Sequence, residues 1–164
     1  MTYSSADSGQ ASNLLSEQYL TFQISGETYA VNSLCVREII EFPLLTRVPM
    51  VGTTIKGVIN LRGSVVPVVD LAARFGIGRT SVSRRTCIVI LDVLDEDGSH
   101  VLGVSVDAVS EVLEIDPSDI CQAPAFGSRI RTEFIRGMTK VGERFVTLLA
   151  IPQVLATGEL AASG

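Results

Sequence analysis

The sequence predicts an all-β protein built from two copies of one five-stranded unit, each copy closing into a small barrel. The composition, the spacing of short apolar runs and an internal repeat lead to this prediction. Hydrophobic residues make up 46% of the 164 residues, whereas aromatic residues make up only 5% and tryptophan is absent. Val, Ile and Leu must therefore supply the core, and this bias favours strands. A chain of this length buries about 70% of its unfolded surface, which is enough for a real core.

The folded region is expected to begin with a β-hairpin. Residues 19–24 and 28–31 are strand-like and flank Ser25-Gly-Glu27, the pattern of a hairpin with a short Gly-containing loop. Further strands are expected at residues 36–42, 55–60, 65–69, 87–93, 101–106, 109–115, 134–138 and 145–149. Helices of about one turn are expected at residues 71–75, 116–119 and 152–155. Residues 1–17 and 157–164 are expected to form flexible tails because they are rich in small and polar residues.

An internal repeat relates the two halves of the chain. Three segments of the first half match three of the second in the same order: 36–41 with 109–114, 55–58 with 135–138, and 65–71 with 145–151. The matches predict two copies of one unit, each with too few strands for a large sandwich but enough for a small barrel. The expected folded region, residues 18–156, divides into a first barrel over approximately 18–83 and a second over 84–156. The N-terminal strand is a candidate for sharing between them.

The charge of the chain disfavours nucleic acid as a partner. The net charge is −5 and the isoelectric point is near 4.8, whereas nucleic-acid binding needs a dense set of Lys and Arg on one face. The cluster of Arg79, Arg84 and Arg85 is too small for that. No stretch approaches the ~20 apolar residues of a membrane span, and residues 1–18 lack the features of a signal peptide. We therefore expect a cytoplasmic protein that does not insert directly into a membrane.

Few residues of the chain suit catalysis or metal binding. Cys35, Cys87 and Cys121 are odd in number, far apart and in apolar surroundings, which indicates reduced core thiols rather than disulfides or a zinc site. His100 is the only histidine and lies in an expected hairpin turn, where a surface position is the simpler interpretation. We expect no cofactor, no metal and no enzymatic activity.

Asp70 and Asp107 are the two acids that most resemble a catalytic pair. Each lies among apolar residues, and two such carboxyl groups brought together would have the shifted pKa values that acid–base chemistry uses. The simpler interpretation is that Asp70 caps the short helix that follows it and that Asp107 caps a turn. A hydrolase that uses these acids, or a barrel that binds a small ligand, is the alternative from a different class.

The most distinctive tract is Gly57-Val-Ile-Asn-Leu-Arg-Gly63, which runs into the expected strand at 65–69. Asn60 and Gly63 are turn residues that bracket Arg62, so the tract predicts a hairpin turn that presents a guanidinium group at the rim of a barrel. The five N–H donors of that group suit carbonyls or carboxylates of neighbouring segments. An ordinary turn with an exposed arginine is the alternative.

This tract, together with Val66-Pro-Val-Val-Asp-Leu71, resembles the CheW-like chemotaxis coupling proteins. Supporting segments are Tyr29-Ala-Val31 with Val36-Arg-Glu-Ile39, the run from Gly103 to Val112, and Ile135-Arg-Gly-Met138. The resemblance covers residues 18–155 and implies a pair of packed, five-stranded, SH3-like barrels without a catalytic site. It also implies a cytoplasmic adaptor, recruited to membrane-associated receptor arrays, that bridges the cytoplasmic tip of chemoreceptors to the regulatory domain of a chemotaxis histidine kinase.

The resemblance further implies roles for individual residues. Val36, Glu38 and Gly57 correspond to receptor-binding positions, Phe126 to a kinase-binding position, and Asn60, Arg62, Gly63 and Asp70 to the family signature at the barrel junction. Ala150 departs from the family, in which many members carry an acid at this point of the repeat. A coupler for pilus motility or another chemosensory pathway would share all these features, so the sequence leaves the pathway open.

Overall fold

A computed structural model of the chain describes residues 16–41, 54–80, 82–95, 98–122 and 130–156. Within these ranges the strands are β1 (Glu17–Ile24), β2 (Glu27–Asn32), β3 (Val36–Glu41), β4 (Ile55–Leu61), β5 (Ser64–Asp70), β6 (Cys87–Asp95), β7 (Gly98–Val106), β8 (Ala108–Ile115), β9 (Ile135–Val141) and β10 (Arg144–Leu149). Two short helices, α1 (Leu71–Phe75) and α2 (Ile151–Val154), follow β5 and β10. Short 3-10 turns cover Ser33–Cys35, Pro117–Asp119 and Thr132–Phe134.

The elements expected from the sequence are present, with small shifts at their ends. Phe134, expected to begin a strand, lies in a 3-10 turn instead. Glu17, expected in the N-terminal tail, already belongs to β1. The rest of the expected tails, and Phe42 at the end of an expected strand, lie outside the described residues.

The strands form two five-stranded sheets, and we call the barrels built from them barrel A and barrel B. Barrel A has the strand order β8-β1-β2-β10-β9, and barrel B has the order β3-β6-β7-β5-β4. Across each sheet, a single edge strand lies beside one hairpin, and that hairpin lies beside a second hairpin. β8 of barrel A therefore corresponds to β3 of barrel B, and the β9–β10 hairpin corresponds to the β4–β5 hairpin. The internal repeat is therefore visible in the topology.

The two barrels interleave along the chain, which differs from the expected division at residues 83 and 84. β1 and β2 belong to barrel A, whose other strands begin at Ala108, while β3 to β7 make up barrel B. The expected boundary thus falls inside barrel B. The whole β1–β2 hairpin, rather than the N-terminal strand alone, joins the strands of the second half of the chain. The reason is long-range pairing: β2 pairs in parallel with β10, and β7 pairs in parallel with β5.

Buried apolar side chains form one cluster inside each barrel and a larger one between them. The cluster inside barrel A contains Tyr19, Ala30, Ile115, Val146 and Leu148, and the cluster inside barrel B contains Ile59, Val66, Val68, Ile88 and Ile90. The cluster between the barrels, which we call the seam, includes Phe22, Val69, Val89, Leu91, Val104 and Phe134. Because alternate residues of a strand point to opposite faces, β6 supplies both barrel B and the seam. Burial on both faces explains why the sequence shows short, continuous apolar runs.

Barrel A closes through the main chain. After β8, the turn at Pro117–Asp119 leads to Cys121, which exchanges two backbone hydrogen bonds, each of 2.8 Å, with Met138 of β9. The neighbouring Gly137 faces this segment, and a Cβ atom at that position would lie 2.5 Å from Cγ2 of Ile120. Glycine is therefore needed where the closing segment crosses β9.

Candidate functional site

The signature tract forms a tight turn at the rim of barrel B. Leu61 pairs with Ser64, so Arg62 and Gly63 are the two central residues between β4 and β5. Both have a left-handed backbone, with φ of 52° and 91°, as a type I′ hairpin turn requires. The side-chain oxygen of Asn60 accepts a hydrogen bond of 2.9 Å from the Gly63 N–H. Turn geometry thus accounts for the asparagine and the glycine of the signature.

Arg62 binds Glu38 of β3 through two hydrogen bonds. Its Nη1 lies 2.5 Å from Glu38 Oε1 and its Nη2 lies 3.1 Å from Oε2, which is the bidentate arrangement that gives guanidinium–carboxylate pairs their specificity. The side chain of Arg62 is 73% exposed and that of Glu38 is 27% exposed. The hydrogen bonds from Arg62 lower the pKa of Glu38 from its ordinary value, and those same bonds raise the pKa of Arg62.

The ion pair connects the two edges of barrel B. β3 and β4 are the outermost strands of the sheet, and Glu38 lies within β3 while Arg62 directly follows β4. In barrel A the equivalent turn carries Gly142 and Glu143, and the closing contact is the backbone pair described above. The two barrels therefore share a topology but close by different chemistry.

Asp70 is buried at the end of β5 and caps α1, as the sequence predicts. It is 4% exposed, and its Oδ1 accepts hydrogen bonds from the N–H groups of Ala72 and Ala73. Thr80 donates both its backbone N–H and its hydroxyl to the same carboxylate, and Nζ of Lys56 lies 3.8 Å from Oδ2. Thr80 and Lys56 were missed in the sequence because nothing near them marks a contact with Asp70. The carboxylate is engaged in structural hydrogen bonds.

Asp107 has partners of its own. Its Oδ2 accepts a hydrogen bond of 2.8 Å from the N–H of Ser25, and its own N–H donates to the carbonyl of Gln23. It therefore ties the connection between β7 and β8 to the β1–β2 hairpin, rather than capping its own turn. Asp70 and Asp107 are held by separate sets of backbone donors, an arrangement that does not favour an acid–base pair.

A groove of about 800 Å³ opens beside the Arg62–Glu38 pair. We call it the rim groove, and its lining includes Glu38, Arg62, Val65, Pro67, Ser99 and Val101. Glu38 belongs to β3, Arg62 to the turn between β4 and β5, and the others to β5 and to the first half of β7. Val65 is 68% exposed, so the groove presents apolar as well as charged surface.

A second groove, of about 430 Å³, lies where the two barrels meet. We call it the seam groove, and its lining includes Cys35, Val93, Leu94, Arg136, Leu149 and Ile151. The side chain of Leu94 is largely exposed. Arg136 and Asp92 are charged groups among a lining that is otherwise rich in apolar side chains.

The structure separates the residues that the resemblance assigns to receptor binding. Glu38 lines the rim groove with Arg62, whereas Val36 is partly buried against the seam, next in sequence to Cys35 of the seam groove. Gly57 is buried in β4 opposite Val68. These residues therefore do not share one exposed surface. Phe126, assigned to kinase binding, lies outside the described residues.

The cysteines differ in exposure, which corrects the expectation of core thiols. Cys35 and Cys87 are half-buried, but Cys121 is exposed because it lies on the segment that closes barrel A. All three are free thiols. In the part of the chain that the structure describes, no helix has the length and apolar character to cross a membrane. In those same ranges, no group of three His, Cys, Asp or Glu side chains is placed to hold a metal ion.

The chain is similar to known proteins over most of its length. A family model described as the CheW-like domain matches residues 18–159. The chain is 34% identical to chemotaxis protein CheW of Klebsiella aerogenes, over 92% of this chain and 89% of that protein. It is 28% identical to protein FrzA of Myxococcus xanthus, over 86% of each. The crystal structure of scaffolding protein TtCheW from Thermoanaerobacter tengcongensis matches with a TM-score of 0.75 at 32% identity, over 83% of this chain and 85% of that one. The chain therefore belongs to the CheW-like family.

Proposed function

We propose that this protein is a non-enzymatic coupler that joins the cytoplasmic tips of chemoreceptors to the regulatory domain of a chemotaxis histidine kinase. The family match over residues 18–159 carries the proposal. The similarity in fold to a protein described as a scaffolding protein supports it. Two separate grooves, one at the rim of barrel B and one at the seam, are consistent with two partners.

The receptor tip occupies the seam groove and the adjoining start of β3. A helical tip buries an apolar stripe through a few anchoring side chains, and the seam groove offers Val93, Leu94 and Ile151 for that purpose. Val36, assigned to receptor binding by resemblance, lies at the edge of this region. Glu38 acts by holding β3 in place through Arg62.

The kinase regulatory domain, which the resemblance gives the same fold, binds a different surface, and the resemblance assigns Phe126 to kinase binding. The coupler then sets the spacing between receptor and kinase without making or breaking any bond. It is recruited from the cytoplasm to receptor arrays, where weak single contacts add up through high effective concentration. A signal passes as a change in geometry, which requires a coupling free energy between the two binding surfaces.

A binding assay with three purified components tests this proposal. The protein is mixed with a kinase regulatory domain, with a receptor signalling fragment, and with both, and complexes are separated by size-exclusion chromatography. We expect each binary complex and a ternary complex. If the protein elutes alone in every mixture, the proposal is wrong.

A matched pair of variants tests the seam groove as the receptor surface. Leu94 and Val112 are both exposed apolar side chains, 73% and 53% exposed, but of the two only Leu94 lines the seam groove. Leu94→Asp is expected to weaken receptor binding and to spare the kinase, whereas Val112→Asp leaves receptor binding unchanged. Equal effects of the two substitutions on receptor binding would place the receptor elsewhere.

A coupler for a chemosensory pathway other than flagellar chemotaxis is the second candidate. This second candidate is supported by the similarity to protein FrzA, which does not carry the name chemotaxis protein CheW. The two candidates differ only in partners, so binding to receptor fragments taken from different pathways distinguishes them.

A further inference from the structure

The helix α2 forms one wall of the seam groove, and it is too short to hold its shape alone. It covers only Ile151–Val154, whereas an isolated helix is marginal in water below about 12–15 residues. It packs against β6, which also lines the groove. Three residues of α2 belong to the lining: Ile151, Pro152 and Gln153. The shape of the groove therefore depends on contacts that fix α2 from outside.

The internal repeat shows that α2 lacks the end caps of α1. Asp70 and Gly76, at the two ends of α1, correspond to Ala150 and Ala156. The Asp70 side chain caps the start of α1, and Gly76, with φ of 75°, forms a left-handed cap whose N–H bonds carbonyls of the last turn. Alanine enters the left-handed region only at a steric cost, and α2 instead ends at Leu155, with φ of −110°.

Arg74 of α1 supplies the hydrogen bonds that a cap would give to the end of α2. Its Nε donates a hydrogen bond of 2.7 Å to the carbonyl oxygen of Val154, and its Nη2 donates one of 3.4 Å to that of Gln153. Carbonyls at the end of a helix have no partner within it, so a side-chain donor stabilises them. Because α1 follows β5 of barrel B and α2 follows β10 of barrel A, this contact joins the two barrels.

Phe134 holds both Arg74 and the start of α2. The guanidinium carbon of Arg74 lies 4.8 Å from the centre of the Phe134 ring, within the range of a cation–π contact. The carbonyl of Phe134 accepts a hydrogen bond of 2.8 Å from the N–H of Ala150, the residue before α2. One buried residue of the seam thus fixes the start of α2 and orients the side chain that binds its end.

We infer that Arg74 is a positioning residue for receptor binding, because it holds α2 in place as a wall of the seam groove. The inference rests on the proposed function, which puts the receptor tip in this groove. Arg74 is not among the described residues that line the groove, so it acts through α2 rather than by contact. A wall that is fixed in advance spares the receptor the entropy of ordering it on binding.

Hydrogen exchange of the full-length protein alone tests whether Arg74 holds α2. The amides of Val154 and Leu155 donate to carbonyls one turn earlier, each at 2.9 Å, and report on α2 directly. Arg74→Met removes the donors and keeps an apolar stem. We expect it to speed exchange of these two amides by about tenfold or more, while the amides of the central strands β1 and β6 keep their protection. Arg79→Met, at an exposed position, is the control and should leave α2 unchanged.

Binding of the receptor signalling fragment tests whether the position of α2 matters. We expect Arg74→Met to weaken receptor binding by about fivefold or more and kinase binding by less than about twofold, because the kinase takes a different surface. Arg74→Lys keeps a cationic donor and is expected to recover part of the receptor affinity and of the exchange protection. Arg79→Met should bind both partners as the unmodified protein does. Circular dichroism and the melting temperature confirm that the variants fold.

The outcomes separate the inference from the proposed function. Unchanged exchange in α2 after Arg74→Met, or faster exchange with unchanged receptor binding, overturns the inference and leaves the proposed function standing. Equal losses of receptor and kinase binding also overturn it, because they indicate a general loss of structure.

Two further results are decisive. If Arg74→Met does not fold, Arg74→Lys carries the test: one ammonium group replaces two guanidinium donors, so α2 protection and receptor affinity should both fall, and no change in either overturns the inference. If the unmodified protein binds no receptor fragment, the proposed function fails, and the role of Arg74 in receptor binding fails with it, while exchange still decides whether Arg74 holds α2.

Discussion

Glu38 and Arg62 meet at the rim of barrel B, where the guanidinium group of Arg62 holds both carboxylate oxygens of Glu38. Because Glu38 belongs to β3 and Arg62 follows β4, the pair links the two edge strands of one sheet. Asn60 and Gly63 shape the turn from which Arg62 extends. The signature residues Asn60, Arg62 and Gly63 thus act together: the turn positions the arginine, and the arginine binds the opposite edge strand.

The pKa of Glu38 should report the ion pair. Hydrogen bonds from Arg62 lower that pKa, so the pair stabilises the fold above the ordinary pKa of a glutamate, and this contribution disappears as the pH falls through the lowered value. Arg62→Asn is expected to return the pKa of Glu38 towards its ordinary value, measured by carboxyl-carbon NMR titration. Asparagine tolerates the left-handed backbone at this position.

Arg79→Asn is the control for that measurement, because Arg79 is also an exposed arginine. The melting-temperature difference between Arg62→Asn and the unmodified protein should be largest near neutral pH and shrink in acid. A difference that does not change with pH would mean that the pair contributes nothing to stability.

Glu38 and Arg62 should act as one unit in receptor binding. If the pair positions β3 for the receptor, Glu38→Ala and Arg62→Asn weaken receptor binding by similar factors, and the double variant is no weaker than either single one. Kinase binding should change little in all three. Titration calorimetry measures the cycle, and additive losses would instead indicate that the two residues make separate contacts.

The hydroxyl of Thr80 should matter more to stability than that of Ser105. Thr80 donates to the buried carboxylate of Asp70, so Thr80→Val is expected to lower the free energy of unfolding by about 1–3 kcal/mol. Ser105 Oγ is buried and has no hydrogen-bond partner within the described residues, so Ser105→Ala should be neutral or stabilising. Urea denaturation compares the two variants, and the reverse order would contradict this account.

Gly137 should not tolerate a side chain. A Cβ atom there would lie 2.5 Å from Ile120 Cγ2 and 3.1 Å from the carbonyl oxygen of Cys121. Gly137→Ala is therefore expected to cost about 1–3 kcal/mol of stability, because the segment that closes barrel A must shift. Lys140→Ala, at an exposed position of the same strand, is the control. Equal melting temperatures for the two variants would show that the closing segment moves freely.

The thiols should react in the order of their exposure. Burial raises the pKa of the Cys35 thiol, so it carries less reactive thiolate at neutral pH, whereas Cys121 is exposed. Iodoacetamide at pH 7.5, followed by peptide mass spectrometry, should therefore label Cys121 well before Cys35. Labelling of Cys35 first would mean that the half-buried region around the seam groove opens readily.

Local chemistry explains what could be predicted about the site. The Asn60–Gly63 turn and the Asp70 cap were predictable because a turn and a helix cap depend on residues within a few positions of each other. The partners of Arg62 and Asp70, which are Glu38 and Thr80, were not. They meet only after β3 and the segment beyond α1 have taken their places, and nothing in their neighbouring sequence marks them.

The sequence by itself determined the strands, the turns between them and the repeat, because alternation of side chains and turn chemistry act over a few residues. It also carried the family signature. Only the tertiary structure decided that the first hairpin crosses to the second half, that Arg74 reaches the end of α2, and that Arg62 reaches Glu38. These depend on pairing between distant segments, where many Val- and Ile-rich strands are nearly equivalent partners and only the packing of both barrels against a common seam selects among them.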